Sequence, residues 1–271
     1  MLDDRLPGIA AKRREIEGWA EMARSQGWYE PDDEVDEHLP YLCRDLGWED
    51  RTWRANEHSF TVLLDRYVRA GMRVLEVGAA KCWGAQHLVP RGCEYVGTDI
   101  LADLSIGLGR GAFYERRVGS FMRVQADGEH LPFASASFDL VYCVAVLHHA
   151  LDLGAMVREM GRVVRRGGIV AALNEGTRAL GRSGEDPEQA EEKTFGINEH
   201  VHSLPGYLWA FARAGLLVRR IEQAEGYEEL AQRRIAGRLL RLPVVGRSAA
   251  TVFAQSCHGY SGVSLYARKL L

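Results

Sequence analysis

The chain has 271 residues, 46% hydrophobic and 26% charged, with a formal net charge of −3, which suits a soluble globular protein with one full core and a helical elaboration. No run approaches the roughly eighteen apolar residues of a membrane span. The five cysteines (Cys43, Cys82, Cys93, Cys143, Cys257) are an odd number without paired spacing, which argues against a disulfide framework or a zinc site.

Met1-Leu-Asp-Asp has neither the basic start nor the apolar core of a signal peptide, so the expected compartment is the cytoplasm. Residues 1–58 are expected to form a helical cap or lid. Four of the six tryptophans fall there (Trp19, Trp28, Trp48, Trp53). Helical spacing runs from Ile9 to Ala23, and the six acids between Glu30 and Glu37 suggest an exposed linker. The cap either covers the sheet edge with its indoles as packing mass or closes over a pocket, which His58 at its end is placed to reach.

Residues 59–175 read as a cofactor-binding core. Val74-Leu-Glu-Val-Gly-Ala-Ala-Lys-Cys-Trp-Gly84 is an apolar run that ends in a small-residue turn and leads into a helix. Asp99 stands 21 residues after Gly78, at the tip of the next strand, where a carboxylate can accept ribose hydroxyls. Together they point to a nucleoside-bearing ligand. Phe138 to Leu147 is a continuous apolar run of the kind found in a parallel strand buried on both faces. Met156, Val157, Met160, Val163 and Val164 then form one face of a helix, opposite Arg158, Glu159, Arg162 and Arg165. Gly167-Gly168 is expected to stop that helix and Ile169–Leu173 to be the next strand. This rhythm builds a doubly wound sheet, whose ligands sit at the carboxyl ends of the strands. Gly78, Asp99, Asp127, His148-His149 and Asn174-Glu175 all fall at or just past expected strand ends.

Residues 176–271 supply a substrate-side loop, helices and the last two strands. The Gly- and charge-rich stretch with Gly176, Gly181, Gly184, Glu185, Asp186, Pro187 and Glu188 reads as a mobile gate. Glu199, His200 and His202 resemble a metal ligand set but lack a third histidine or a cysteine nearby, so no metal is expected. Ser203 suits a helix start before the amphipathic stretch Tyr207–Ala214. Leu216–Ile221 and Gly262–Arg268 are expected as an antiparallel sheet edge, with about forty residues between them that must fold on their own. There Ile235, Leu239 and Leu242 share one helical face beside Arg234, Arg238 and Arg241. Residues 233–247 are thus a packed helix with a solvated basic side, or a basic arm for an anionic acceptor or a membrane surface. Residues 1–60 hold 15 acidic and 8 basic side chains, and residues 230–271 hold seven basic and no acidic ones. No broad basic face for nucleic acid results, and a small-molecule partner is favoured.

At these residues the chain resembles the class I S-adenosylmethionine-dependent methyltransferases, especially the branch acting on small molecules. The likeness covers about residues 60 to 175 well and 195 to 271 loosely. It implies an α/β fold: a doubly wound, mostly parallel, seven-stranded Rossmann-like sheet with an antiparallel last strand and a helical amino-terminal cap. The family's Glu-x-Gly-x-Gly-x-Gly falls on Glu76, Gly78, Ala80 and Cys82, so two glycines are replaced. The resemblance implies that Asp99 holds the ribose hydroxyls of S-adenosyl-L-methionine, that Ile100 lies against the adenine, and that Asp127 meets the adenine amino group. Gly128 and Val144 complete the expected cofactor wall. The implied reaction moves a methyl group to an oxygen, or else a nitrogen, of a small metabolite. His149 is the first candidate base and His148 the second, followed by His200, His202 and His58. One alternative is a catalytically silent domain that binds the cofactor as a sensor or scaffold. Another, a nicotinamide-dependent oxidoreductase, needs glycine at positions 80 and 83, where Ala80 and Trp83 stand.

Overall fold

Side chains alternate along most of the central strands, and that alternation builds two cores, one on each face of a single sheet. In a computed structural model describing residues 2–180, 187–243, 245–257 and 261–270, strand β1 (Arg73–Val77) sends Leu75 and Val77 to one face and Val74 to the other. Strand β4 (Phe138–Val144) divides in the same way, Val141 and Cys143 against Leu140 and Tyr142, and β5 (Val164–Thr177) follows with Val170 and Ala172 against Ala171 and Leu173. Strands buried on both faces have no room for a polar side, which explains their continuous apolar runs.

The chain opens with helices α1 (Ile9–Ser25), α2 (Asp33–His38), α3 (Leu42–Asp45) and α4 (Arg51–Tyr67). The core continues from β1 through α5 (Ala85–Leu88), β2 (Glu94–Asp99), α6 (Gly111–Val118) and β3 (Met122–Gln125), then through β4, α7 (Leu153–Val163) and β5. It ends with α8 (Pro187–Thr194), α9 (Leu204–Arg213), β6 (Leu216–Gln223), α10 (Glu228–Gln232), α11 (Arg234–Leu239), α12 (Gly246–Cys257) and β7 (Ser261–Lys269). The seven strands lie in the order β3-β2-β1-β4-β5-β7-β6. All pairs are parallel except those that β7 makes with β5 and β6. Winding reverses between β1 and β4, and the crevice outside their carboxyl ends is where such sheets bind ligands.

Several details differ from the sequence expectation. The antiparallel edge is as expected, with β6 outermost and β7 between it and β5, and the differences lie elsewhere. The Glu30–Glu37 acids are not a free linker: Asp32 caps α2 by accepting Glu34 N at 3.0 Å and Val35 N at 3.1 Å. Asp36, fully buried, is held by Lys81 Nζ at 2.9 Å and Arg110 Nε at 2.6 Å, which ties the cap to the core. Helix α7 ends at Val163, and Gly167-Gly168 lie within β5, where Val164 faces Phe138 and Ile169 faces Leu140, so four residues bulge out against one. Asn174 and Glu175 also lie inside β5. Asn174 (φ 51°) steps out of the ladder, and Glu175 resumes pairing opposite Val263. In the expected gate, Gly181, Gly184, Glu185 and Asp186 lie outside the described residues, and Pro187–Thr194 is helical. α11 is only six residues long, so Leu242 does not share its face; Ile235 and Leu242 are exposed while Ala236 is buried. Helix α4 runs unbroken through residue 58 and packs Phe60, Leu63 and Leu64 into the core. Among the described residues no helix is long and apolar enough to cross a membrane.

Candidate active site

Two adjoining cavities open at the carboxyl ends of the strands. The first, about 260 Å³, is walled by the turn after β1 (Gly78, Ala80), the tip of β2 (Asp99, Ile100), the segment after β3 (Asp127, Gly128) and the end of β4 (Val144). All seven were expected as cofactor contacts. Glu76 was expected there too, but its carboxyl does not reach the wall. It is buried behind the turn, where the Tyr95 hydroxyl donates to Oε2 and Tyr142 stands beside it, and burial pushes it up to about 8.

The turn keeps the shape that glycine usually provides even at positions 80 and 82, where glycine is missing. Gly78 (φ 70°), Ala80 (φ 42°) and Cys82 (φ 63°) are all left-handed. Gly78 must lack a side chain, since a Cβ there would stand 2.8 Å from Val146 Cγ1 and closer still to Cγ2. Ala80 N donates to Asp99 Oδ2 at 2.7 Å, and Leu101 N donates to Oδ1 at 2.8 Å. Burial raises the Asp99 carboxyl and these two bonds oppose it, so the carboxylate is fixed in orientation with its remaining lone pairs available. Asp127 Oδ1 accepts Glu129 N at 3.0 Å, and among the described residues its buried Oδ2 accepts no hydrogen bond, with His130 Nδ1 3.6 Å away. An orphaned acceptor in a cavity wall fits a ligand that brings an N–H.

Helix α1 forms the roof. Lys12, Glu15 and Trp19, with Trp28 beyond, line the first cavity. Lys12 Nζ is 2.9 Å from Glu129 Oε1 and 3.5 Å from Asp127 Oδ1. Sequence reasoning missed these two polar residues, although the i, i+3, i+7 spacing of Lys12, Glu15 and Trp19 puts all three on one helical face. Of the cap's indoles, Trp19 and Trp28 border the cavity, whereas Trp53 packs against the core and Trp48 is exposed.

The second cavity, about 360 Å³, lies between α4 (Arg51, Ala55), β5 (Asn174, Gly176), α8 (Gln189, Glu192) and Glu199. Trp19, Ala145 and His149 border both cavities, and His148 borders the second. The strand-to-turn geometry brings the histidines here: Ala145 (φ 53°) turns the chain out of β4, and Glu175, buried, accepts Val146 N and Leu147 N, each at 3.1 Å. His148 Nδ1 lies 3.0 Å from Glu175 Oε2. His149 Nδ1 lies 2.8 Å from the Asn198 carbonyl and 2.9 Å from Glu199 Oε1. Burial alone would lower the His149 imidazole, but Glu199, Glu15 and the Asn198 carbonyl hold it up at about 9. Glu199 is held down at about 2 against its own burial, chiefly by His149.

His200 and His202 are not brought to either cavity wall. His200 is exposed, although its N–H donates to the His148 carbonyl at 2.7 Å, and the His202 ring packs edge-on against Tyr207. His58 lies beside Gly226. Ser203 does start α9, but without a side-chain cap bond.

Residues 75–172 match the family model described as a methyltransferase domain. An uncharacterized methyltransferase of Bacillus subtilis (strain 168) is 32% identical over 100 residues, covering 37% of this chain and 39% of its own. The 27-O-demethylrifamycin SV methyltransferase of Amycolatopsis mediterranei (strain S699) is 28% identical over 130 residues, covering 46% and 47%. The chain thus spans less than half the length of these curated relatives. Among solved structures, geranyl diphosphate C-methyltransferase from Streptomyces coelicolor A3(2), in complex with Mg2+, geranyl diphosphate and S-adenosyl-L-homocysteine, aligns over 99% of this chain and 100% of its own. Its TM-score is 0.63 at 16% identity, a likeness of fold.

Proposed function

We propose, from the match of residues 75–172 to a methyltransferase domain, that this chain is a class I S-adenosylmethionine-dependent methyltransferase that moves the methyl group of S-adenosyl-L-methionine to an oxygen of a small metabolite. The observation that carries the proposal is the pair of cavities meeting at Trp19, Ala145 and His149. The first presents an oriented Asp99 to a ribose and the orphaned Asp127 Oδ2 to an adenine amino group. The second is a separate pocket for the acceptor.

The sulfonium is an activated leaving group, so the protein has to align acceptor oxygen, methyl carbon and sulfur. As the new C–O bond forms the C–S bond breaks, and S-adenosyl-L-homocysteine departs with the electron pair. The hydroxyl proton leaves toward His148. Its Nδ1 is engaged by Glu175, which leaves Nε2 as the acceptor nitrogen on the pocket side. His149, although nearest the cofactor cavity, holds its own proton at neutral pH and is poorly suited to take another.

Calorimetric titration tests the cofactor half of this proposal. S-adenosyl-L-homocysteine is expected to bind at one per chain and NAD not to bind; the reverse preference would restore the nicotinamide alternative.

A further inference from the structure

We propose that His148, His149 and Glu199 form a site for one divalent transition-metal ion in the wall of the second cavity. One ligand atom from each lies within 4.8 Å of the other two. Glu199 Oε1 is 2.9 Å from His149 Nδ1 and 3.9 Å from His148 Nε2. Ligands sharing an ion at bond lengths of about 2.0–2.2 Å stand roughly 3–4 Å apart, a spacing close to that of these atoms.

Two features distinguish the cluster from ordinary buried ion pairs. Glu199 is only 3% exposed, yet among the described residues neither of its oxygens accepts a well-aligned hydrogen bond: His149 Nδ1 stands 2.9 Å from Oε1 but aims its N–H at the Asn198 carbonyl 2.8 Å away. A desolvated carboxylate in that condition is one a cation would satisfy. His148 is oriented from behind by Glu175, which is itself fixed by Val146 N and Leu147 N; a carboxylate on the far nitrogen is how metal-binding imidazoles are held in tautomer and direction.

Two imidazoles and one carboxylate select Zn2+, Fe2+, Mn2+ or Co2+ over Mg2+ or Ca2+, and three protein ligands leave positions open toward the pocket. If the pocket takes the methyl acceptor, as proposed above, those positions suit an acceptor that offers oxygen donors. With an ion bound, His148 Nε2 would be its ligand in place of the proton-accepting role proposed above; the ion would lower the pKa of a coordinated hydroxyl, whose proton would pass to bulk water as the methyl is transferred.

The test uses the full chain after chelator treatment, titrated with Zn2+ and Co2+ by calorimetry and, for Co2+, by visible absorption. The parent is expected to bind one ion with an imidazole-type Co2+ spectrum, unmoved by excess Mg2+. His148→Ala and Glu199→Gln are each expected to lose at least about tenfold in affinity, with Glu175→Gln weakened about tenfold. Circular dichroism and S-adenosyl-L-homocysteine titration show whether each variant is folded. Should a variant fail to fold, the parent's stoichiometry and Co2+ spectrum still decide the matter. Absence of stoichiometric binding by the parent, or parent-like affinity in both folded ligand variants, overturns the site. Cofactor binding without metal binding defeats this inference alone, and metal binding without cofactor binding defeats the methyl-transfer proposal alone.

Discussion

Replacing Gly78 by alanine probes the cofactor turn most sharply. Position 78 has φ 70°, where an L side chain costs about 1–2 kcal/mol. The new Cβ would also meet Val146, with Cγ1 at 2.8 Å, and overpacking of that kind costs roughly 1–3 kcal/mol more. The sum, about 2–5 kcal/mol, lowers a urea midpoint by about 1–2 M at a slope of roughly 2.5 kcal/mol/M. Because Gly78 lines the first cavity, S-adenosyl-L-homocysteine affinity should fall as well. The clash is local, so Gly78→Ala combined with Val146→Ala should recover at least about 1 kcal/mol relative to the sum of the single changes. Ala80→Gly is the contrast: relief of a left-handed alanine (φ 42°) offsets glycine's extra chain entropy, leaving stability within about 1 kcal/mol of the parent and cofactor still bound. Parent-like stability and affinity in Gly78→Ala, or no coupling to Val146, would refute the reasoning.

Four further outcomes are expected. Asp99→Ala should weaken S-adenosyl-L-homocysteine about ten- to hundredfold in calorimetry, since hydrogen bonds to a charged group contribute about 1.5–3 kcal/mol. Glu76→Gln should leave that affinity within a few-fold. The parent's folded carboxyl, raised to about 8, favours the fold fully below 4.5 and loses that advantage as pH rises toward 8, so thermal melts should show the variant gaining on the parent across this window. His87, lowered to about 4 chiefly by burial, is neutral in the fold. Its contribution is present above 6.5 and lost as pH falls toward 4, so melts of His87→Gln should show a flatter acid limb than the parent, by at most about 3 kcal/mol. His148→Ala should lower turnover on an acceptor found by label transfer about a hundred- to ten-thousandfold while cofactor affinity stays within a few-fold; an unchanged kcat would make the residue structural.

The sheet was legible because its strands are buried on both faces, leaving mainly apolar runs such as Val74–Val77 and Phe138–Val144, interrupted only by Glu76 and Asp139. The same logic located Gly78, Asp99 and Asp127. Local pattern failed where a distant partner decides the outcome. Asp36 reads as one more surface acid until Lys81 and Arg110 enclose it. Gly167-Gly168 read as a helix stop because nothing local reveals that Val164 already pairs with Phe138. Glu76 keeps its motif position, yet burial turns it toward Tyr95 and away from the ligand cavity. The pairing of His149 with Glu199 joins positions 50 residues apart. The left-handed Ala80 and Cys82 were visible only as missing glycines, and the backbone retains what the side chains concealed.

Label transfer tests methyl donation most directly. The chain is incubated with S-adenosyl-L-methionine tritiated on the methyl group and an extract of small metabolites, beside Asp99→Ala as control. Methyl transfer predicts label in a small-molecule product together with S-adenosyl-L-homocysteine, both sharply reduced in the control. Tight cofactor binding with no label leaving the cofactor, across extracts rich in hydroxylated metabolites, would contradict it and make the chain a silent cofactor-binding domain.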